Sequence, residues 1–255
     1  MNIHPTSIID QKAKIHETVK IGPFCIIEDD VCIDAHTVIH SNVHIYAGTK
    51  IGKKNEIHTG AVLGNIPQDL KFNNEKSTLI IGDRNTIREY CTLNRGTESS
   101  DTTLIGNDCL LMAYVHVAHD CIVEDKVILA NGVQLAGHSH IAYHAIIGAI
   151  TGVHQFCKVG LHAFVGACRA VLQDVPPYIL ATGEPLQFSG INSVGLRRRN
   201  FKREQIKNIK DAYKLIYLSK FNKSQSIKKI EESFNLTEEV ENIIEFISSS
   251  KRGLI

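Results

Sequence analysis

The sequence predicts a mainly β fold in which small aliphatic units stack along one axis, followed by an α-helical C-terminal domain. Three observations predict it. Every sixth residue from Ile3 to Val171 gives 29 positions, of which 26 are Ile, Leu or Val, residue types that make up only about a quarter of the chain. Aromatic residues are 6% of the 255 residues and Trp is absent, so the core is assembled almost without large rings. Beyond Phe201 the apolar spacing becomes helical, at Ile206, Ile209, Tyr213 and Ile216 and again at Ile227, Ile230 and Phe234. A period of six is neither that of an amphipathic helix nor the alternation of a half-buried strand. It is the pattern of an array in which each unit buries its apolar face against the next.

Within the unit, Gly follows the aliphatic residue at Gly22, Gly52, Gly64, Gly82, Gly106, Gly148, Gly160 and Gly166. Five of the seven cysteines (Cys25, Cys91, Cys109, Cys121, Cys157) lie two positions before it, which reads them as small buried packing residues. This pattern resembles the hexapeptide-repeat parallel β-helix family. The resemblance implies three flat sheets around a triangular prism, 18 residues per coil, with residues one coil apart stacked at the strand spacing of ~4.8 Å. It also implies a left-handed coil, against the ordinary right-handed crossover. The expected domains are a left-handed parallel β-helix over residues 1–190 and an α-helical domain over 191–255.

Only Asp69, Glu75 and Ser99 break the run. A carboxylate facing a dry prism interior costs several kcal/mol or more. Residues 65–79 and 95–103 are therefore expected to project as loops, the usual carriers of binding groups. The repeat is expected to stop at Asp174-Val175-Pro176-Pro177, because proline cannot donate to a strand ladder. Thr237 before Glu238 and Glu239 marks the start of a last helix with Val240, Ile243, Ile244 and Ile247 on one face.

No apolar run approaches the roughly 18 residues of a membrane span, and the N-terminus lacks a signal peptide's apolar stretch, so a cytoplasmic protein without membrane insertion is expected. An odd number of cysteines without a CxxC pair suggests neither a disulfide framework nor a structural zinc site. The net charge of +1 conceals an asymmetry. Residues 197–229 carry 12 Lys and Arg against two acids, whereas residues 1–196 carry 14 against 19. The basic stretch is either a solvated helix surface or a dock for an acidic partner or phosphates. Nucleic acid is disfavoured, because no aromatics interleave with the basic residues.

All 13 histidines precede residue 163, and the cluster that matters is His116-Val117-Ala118-His119-Asp120. With Val117 inward, His119 and Asp120 fall near an outward corner. Stacking by one coil puts Gly137 over His119, Gln155 over Gly137 and His138 over Asp120. A histidine can act as a neutral base at cytoplasmic pH, and a side-chain-free backbone N–H can face a developing oxyanion. The plainer alternative is a set of polar corner residues that pair only with one another.

The segments HVAHDC (116–121), LAGH (135–138), VHQFC (153–157), QDVPPY (173–178), PQDLKF (67–72) and GLRRRNF (195–201) resemble the bacterial UDP-N-acetylglucosamine acyltransferase family of lipid A biosynthesis. The resemblance spans nearly the whole chain. It implies a homotrimer that moves a 3-hydroxyacyl chain from acyl carrier protein to the 3-position of UDP-N-acetylglucosamine, with sites in clefts between subunits. It further implies His119 as general base, Asp120 as its orienting partner and the Gly137 N–H as oxyanion donor. His116, His138, His154 and Gln155 are implied to line the sugar and acyl pocket. Asp69 and Lys71 are implied to bind the sugar nucleotide, and Asn192, Arg198 and Arg199 its nucleotide end. Ala167 takes the position that limits acyl-chain depth. No metal or cofactor is implied beyond the phosphopantetheine of acyl carrier protein, and that acidic carrier gives the basic helices a partner. Asn94 and Val194 depart from the family pattern, standing where some relatives have His and an acidic residue, which leaves the acceptor open between a 3-hydroxyl and a 3-amino group.

Competing readings are a γ-class carbonic anhydrase, with zinc held by residues such as His116 and His119, and a coenzyme A-dependent acyltransferase. The projecting loops, the GLRRRNF stretch and the basic tail are features that zinc chemistry does not use. A related N-acyltransferase ordinarily carries a uridine-binding domain before its repeats, whereas the repeats here begin at Ile3. A non-catalytic scaffold or ice-binding surface requires ranks of repeated Thr or Asn, and the outward positions vary instead.

Overall fold

The structure, a computed structural model, describes residues 2–234 and 236–255. The inward aliphatic residues head short strands that pair in parallel with the coils above and below, as in Ile3 with Ile21 and Ile9 with Ile27. They form three sheets among the described residues, of 11, 9 and 8 strands, here faces A, B and C. The chain visits them in the order A, B, C, beginning at Asn2–Ile3, Ile8–Ile9 and Lys14–Ile15. This is the left-handed parallel β-helix with a C-terminal helical part that the sequence predicts. Ranks such as Ile45, Leu63, Leu93, Val117 and Leu135 have no exposure, and the five aligned cysteines are equally buried. From Phe24 onward most corners turn through one residue at positive φ. Several are Asn, Asp or His (Asn42, Asp108, Asp120, His138), the non-glycine residues most tolerant of that region.

Both loops leave the prism at the same place, the corner between faces B and C. Leu63 pairs with Leu93, 30 residues on, and Thr92 pairs with His116, 24 on, in place of the regular 18. The insertions are therefore 12 and 6 residues, whole multiples of the unit, and the phase of the repeat survives. The strands flanking them end at Asn65 and Asn94 and resume at Thr78 and Thr102. The first loop is thus tighter than expected by one residue at its start and two at its end, and the second by two at its end alone.

The prolines at 176 and 177 do not end the prism outright. The strand Ile179–Thr182 rejoins face A beside Phe164 and Val165, with Val165 opposite Ala181, and then pairs antiparallel with Gln187–Ile191. The offset of 16 instead of 18 is where the prolines break the repeat. The hairpin closes the end of the stack, and the helices pack on it.

Helix α1 (Ser193–Arg198) is capped by Asn192, whose Oδ1 accepts from the Gly195 N–H. Helix α2 (Arg203–Tyr217) lays Tyr213 and Tyr217 over Phe188 of the hairpin, and the Tyr213 hydroxyl donates to Pro177 O at 2.6 Å. Helices α3 (Lys223–Ser233) and α4 (Glu238–Ser249) complete the domain. Thr237 occupies the N-cap position of α4, although its hydroxyl makes no capping bond. No helix among the described residues is long and apolar enough to cross a membrane.

Candidate active site

The corner after the strand His116–Val117 holds His119 and Asp120, both less than one-tenth exposed. Asp120 stands at φ 58°, which turns its carboxylate beneath the corner toward the second loop. There Oδ1 accepts from the Thr97 N–H (3.0 Å) and the Ser100 hydroxyl (2.6 Å), and Oδ2 from the Thr97 hydroxyl (2.7 Å) and His119 Nδ1 (2.7 Å). The Thr103 hydroxyl holds the Asp120 N–H at 2.8 Å. Burial alone pushes the carboxyl upward, but the bonds from Ser100, Thr97 and His119 outweigh it and lower its pKa to about 2.

An ionised carboxylate only accepts, so His119 Nδ1 carries the proton and Nε2 is left with its lone pair. His119 Nε2 has no protein partner among the described residues. The ring lies under Gly137, where an added Cβ would stand 2.6 Å from both Cε1 and Nε2. Glycine is required here for space, since its φ is not positive. The Gly137 N–H donates to no protein acceptor among the described residues.

These residues border a groove of about 560 Å³ that runs up face B, lined by Gln68, His116, His119, Gly137, His154 and Gln155 together with small residues and Leu172. His116 is held by the Thr92 hydroxyl at 2.7 Å, and burial lowers its pKa, so it is neutral. His138 stacks on Phe156 at 4.5 Å and meets the His119 ring edge-on, with Nε2 3.7 Å from Asp120. The expected cluster is therefore brought together, with His138 packing beside the pair.

Other expected site residues are placed elsewhere within one chain. Asp69 caps its own loop turn by accepting from the Lys71 N–H at 3.0 Å, and it is Gln68 that reaches the groove. Ala167 is exposed at the corner between faces A and B, where its backbone closes over Gly148. Asn192, Arg198 and Arg199 line a second pocket of about 530 Å³ on face A, with His144, Phe164 and Val194. The Asn192 amide is occupied, its Oδ1 accepting from the Gly195 N–H of α1 and its Nδ2 donating to His162 O at 3.0 Å. Arg199 donates to His162 Nδ1 at 2.9 Å. Burial first, and the Arg199 charge second, push His162 down to about 3 and His144 to about 4, so both are neutral. Asn94 is buried and pins the root of the first loop, its amide donating to Asn65 O and Ile66 O.

Thr97, Ser100, Thr103 and Thr92, which fix the acid and the histidines, are not singled out by the sequence. The hydroxyl-rich run TESSDTT (97–103) holds Thr97, Ser100 and Thr103 and is the signal for them, but which hydroxyl meets Asp120 depends on the path of the loop.

Two clusters offer three metal-ligating atoms each: His119, Asp120 and His138, and, far down the prism, His40, Glu56 and His58. In the first cluster the donors are already engaged. The Asp120 oxygens each already accept two hydrogen bonds. In the second cluster the stacked His40 and His58 rings both turn Nε2 toward Glu56 Oε1, at 3.1 and 3.6 Å.

A prism of six-residue repeats with a His–Asp pair on its corner belongs to the class of hexapeptide-repeat transferases, and residues 102–137 match the family model described as bacterial transferase hexapeptide. Residues 174–255 match the model described as UDP N-acetylglucosamine O-acyltransferase, domain 2. An acyl-(acyl-carrier-protein)–UDP-N-acetylglucosamine O-acyltransferase of Thiobacillus denitrificans is 45% identical over 254 residues, covering 99% of this chain and 98% of its own. The crystal structure of a UDP-N-acetylglucosamine acyltransferase from Bacteroides fragilis superposes with a TM-score of 0.98 at 45% identity, covering 99% of both chains. A relative from Acinetobacter baumannii does so with a TM-score of 0.96 at 43% identity, over 99% of both chains. The chain belongs to the acyl-(acyl-carrier-protein)–UDP-N-acetylglucosamine O-acyltransferase family.

Proposed function

We propose that this chain transfers a 3-hydroxyacyl group from the thioester of acyl carrier protein to the 3-position of UDP-N-acetylglucosamine, the first step of lipid A biosynthesis, in the cytoplasm. The observation that carries the mechanism is the hydrogen bonding of His119, which assigns its tautomer. Its Nδ1–H is held by Asp120, and its unpartnered Nε2 lies beneath the Gly137 corner.

In the reaction Nε2 takes the proton of the sugar hydroxyl as its oxygen attacks the thioester carbonyl. The carbonyl oxygen becomes a tetrahedral oxyanion facing the Gly137 N–H. The intermediate collapses by breaking the carbon–sulfur bond, and the protonated His119 returns its proton to the departing pantetheine thiolate. Asp120, kept ionised by its donors, stabilises the transient imidazolium. No step needs a metal, and the saturated oxygens of Asp120 support that reading.

The placement of the pockets supports a homotrimer. The base opens on face B, whereas Arg198 and Arg199, suited to clamp a diphosphate, open on face A. A sugar nucleotide spanning both requires face A of one copy beside face B of another. Ala167, on the corner between those faces, then limits acyl depth from the cleft. Asp69 and Lys71 on the first loop reach the sugar nucleotide of a neighbouring cleft. The basic stretch from Arg197 to Lys229 is the docking surface for the acidic carrier protein.

The test is mass spectrometry of the product from UDP-N-acetylglucosamine with 3-hydroxyacyl thioesters of graded length, on acyl carrier protein and on coenzyme A. O-acylated sugar nucleotide from the carrier thioesters is expected. Absence of acylated product, or transfer only from coenzyme A, sinks the assignment.

A further inference from the structure

The last residues of the chain return to the groove. After α4 the backbone turns over the top of the prism, where the Asp174 N–H donates to Gly253 O (2.8 Å) and the Ile255 N–H to Asp174 O (3.2 Å), bridging Asp174 and Leu254 in parallel. The Asp174 carboxylate is buried and ties the two parts together, accepting from the Ser250 hydroxyl (2.7 Å) and the Lys158 N–H (2.8 Å). The strap so formed carries Arg252, whose Nη2 stands 3.0 Å from His154 Nδ1, a residue 98 positions away in sequence. His154 lines the same groove as His119 and Gln155.

A guanidinium stays protonated and only donates. Nδ1 of His154 is therefore the accepting nitrogen, and the ring proton of the neutral imidazole sits on Nε2. Nδ1 also lies 3.1 Å from Gln155 O, a contact that has no proton between its atoms while Arg252 occupies the lone pair. Without the guanidinium, Nδ1–H is free to turn to that carbonyl, and Nε2 becomes an acceptor.

We propose that Arg252 is a positioning residue for the groove: held by the C-terminal strap, it fixes His154 as the Nε2–H tautomer, so that the ring donates to a hydroxyl or carbonyl oxygen of the bound sugar or acyl group. The tautomer is a property of the protein alone; its kinetic consequence rests on the acyl-transfer reading above.

The experiment is nitrogen NMR of the full-length protein labelled with ¹⁵N-histidine, His154 being assigned by its disappearance in His154→Gln, together with steady-state kinetics. The expected wild-type signal is that of an unprotonated Nδ1 and a protonated Nε2. Arg252→Ala shifts the protonation toward Nδ1 and lowers kcat/KM about 10-fold. Arg252→Gln keeps an N–H donor without the charge and restores both. A protonated Nδ1 in the wild type, or Arg252→Ala and Arg252→Gln proteins that lose activity equally with an unchanged ring signal, overturns the proposal. A wild-type protein with the expected tautomer but no acyl transfer marks the failure of the functional reading and leaves the Arg252–His154 pairing standing.

Discussion

In the proposed mechanism His119 serves as base because Asp120 decides which ring nitrogen holds the proton, and three donors from the second loop keep Asp120 ionised against its burial. Removing the base in His119→Ala is expected to lower turnover by ~10²–10⁴-fold with the fold intact, measured by product formation and circular dichroism. Near-normal turnover would refute its role. Gly137→Ala puts a methyl group 2.6 Å from the ring, so the imidazole must swing away. Activity should fall at least about tenfold while the melting temperature barely moves. The Asp120 carboxyl, lowered to about 2 from an ordinary value near 4, contributes about 2 kcal/mol of stability. That contribution is whole above pH ~4 and fades as the pH falls toward 2, because the unfolded chain takes up the proton first. Thr97→Val should therefore lose resistance to acid in this window, as followed by fluorescence of a bound dye.

At the scale of elements, both insertions occupy one corner, directly below the base, and the second supplies the hydroxyls that orient it. The breaks at Asp69, Glu75 and Ser99 made the loops legible, because charge and polarity cannot sit among ranks of Ile and Leu. Which corner they leave from came from the structure, where both depart between faces B and C. The contacts they make were not legible, since Thr97 and Ser100 reach Asp120 through a backbone path that periodicity does not describe. The hairpin after the prolines escaped the repeat for a related reason: its offset of 16 falls outside the six-residue count. The helical domain is tied to that end by Tyr213, whose hydroxyl meets Pro177 O in a buried site. Tyr213→Phe leaves the carbonyl without this donor and should cost about 1–3 kcal/mol in denaturant unfolding.

For the molecule as a whole, the His119–Asp120 pair and the arginine pocket lie on different faces of one prism. Mixed trimers are thus expected to regain activity when inactive His119→Ala subunits are co-refolded with inactive Arg199→Ala subunits. Some clefts then join an intact base to an intact arginine pocket from the next copy. No recovery in mixtures that chromatography shows to be mixed trimers would place each site within one chain. The face A pocket also makes the fold sensitive to mild acid. His144 and His162 stay neutral to about pH 4 and 3, whereas in the unfolded chain histidine titrates near 6.5. As the pH falls below 6.5 the unfolded state binds protons that the native state refuses, so stability decreases toward pH 4. His162→Gln should flatten that slope in urea titrations, and an unchanged slope would count against the buried neutral histidine.

The sequence by itself determined the prism, its coil length, the inward ranks, the cysteine slots and the corner shared by His119, Asp120 and Gly137. The inward ranks and the cysteine slots follow from a period of six, and the prism, its 18-residue coil and the shared corner follow once the resemblance to the hexapeptide-repeat family sets three units per coil. Tertiary structure decided what periodicity cannot carry. It set the donors that ionise Asp120, the use of Asn94 and Asn192 as structural pins, the separation of the two pockets onto different faces, and the return of Arg252 to His154. Those contacts join segments with no fixed spacing between them, and only the folded path of loops and strap brings them within hydrogen-bonding distance.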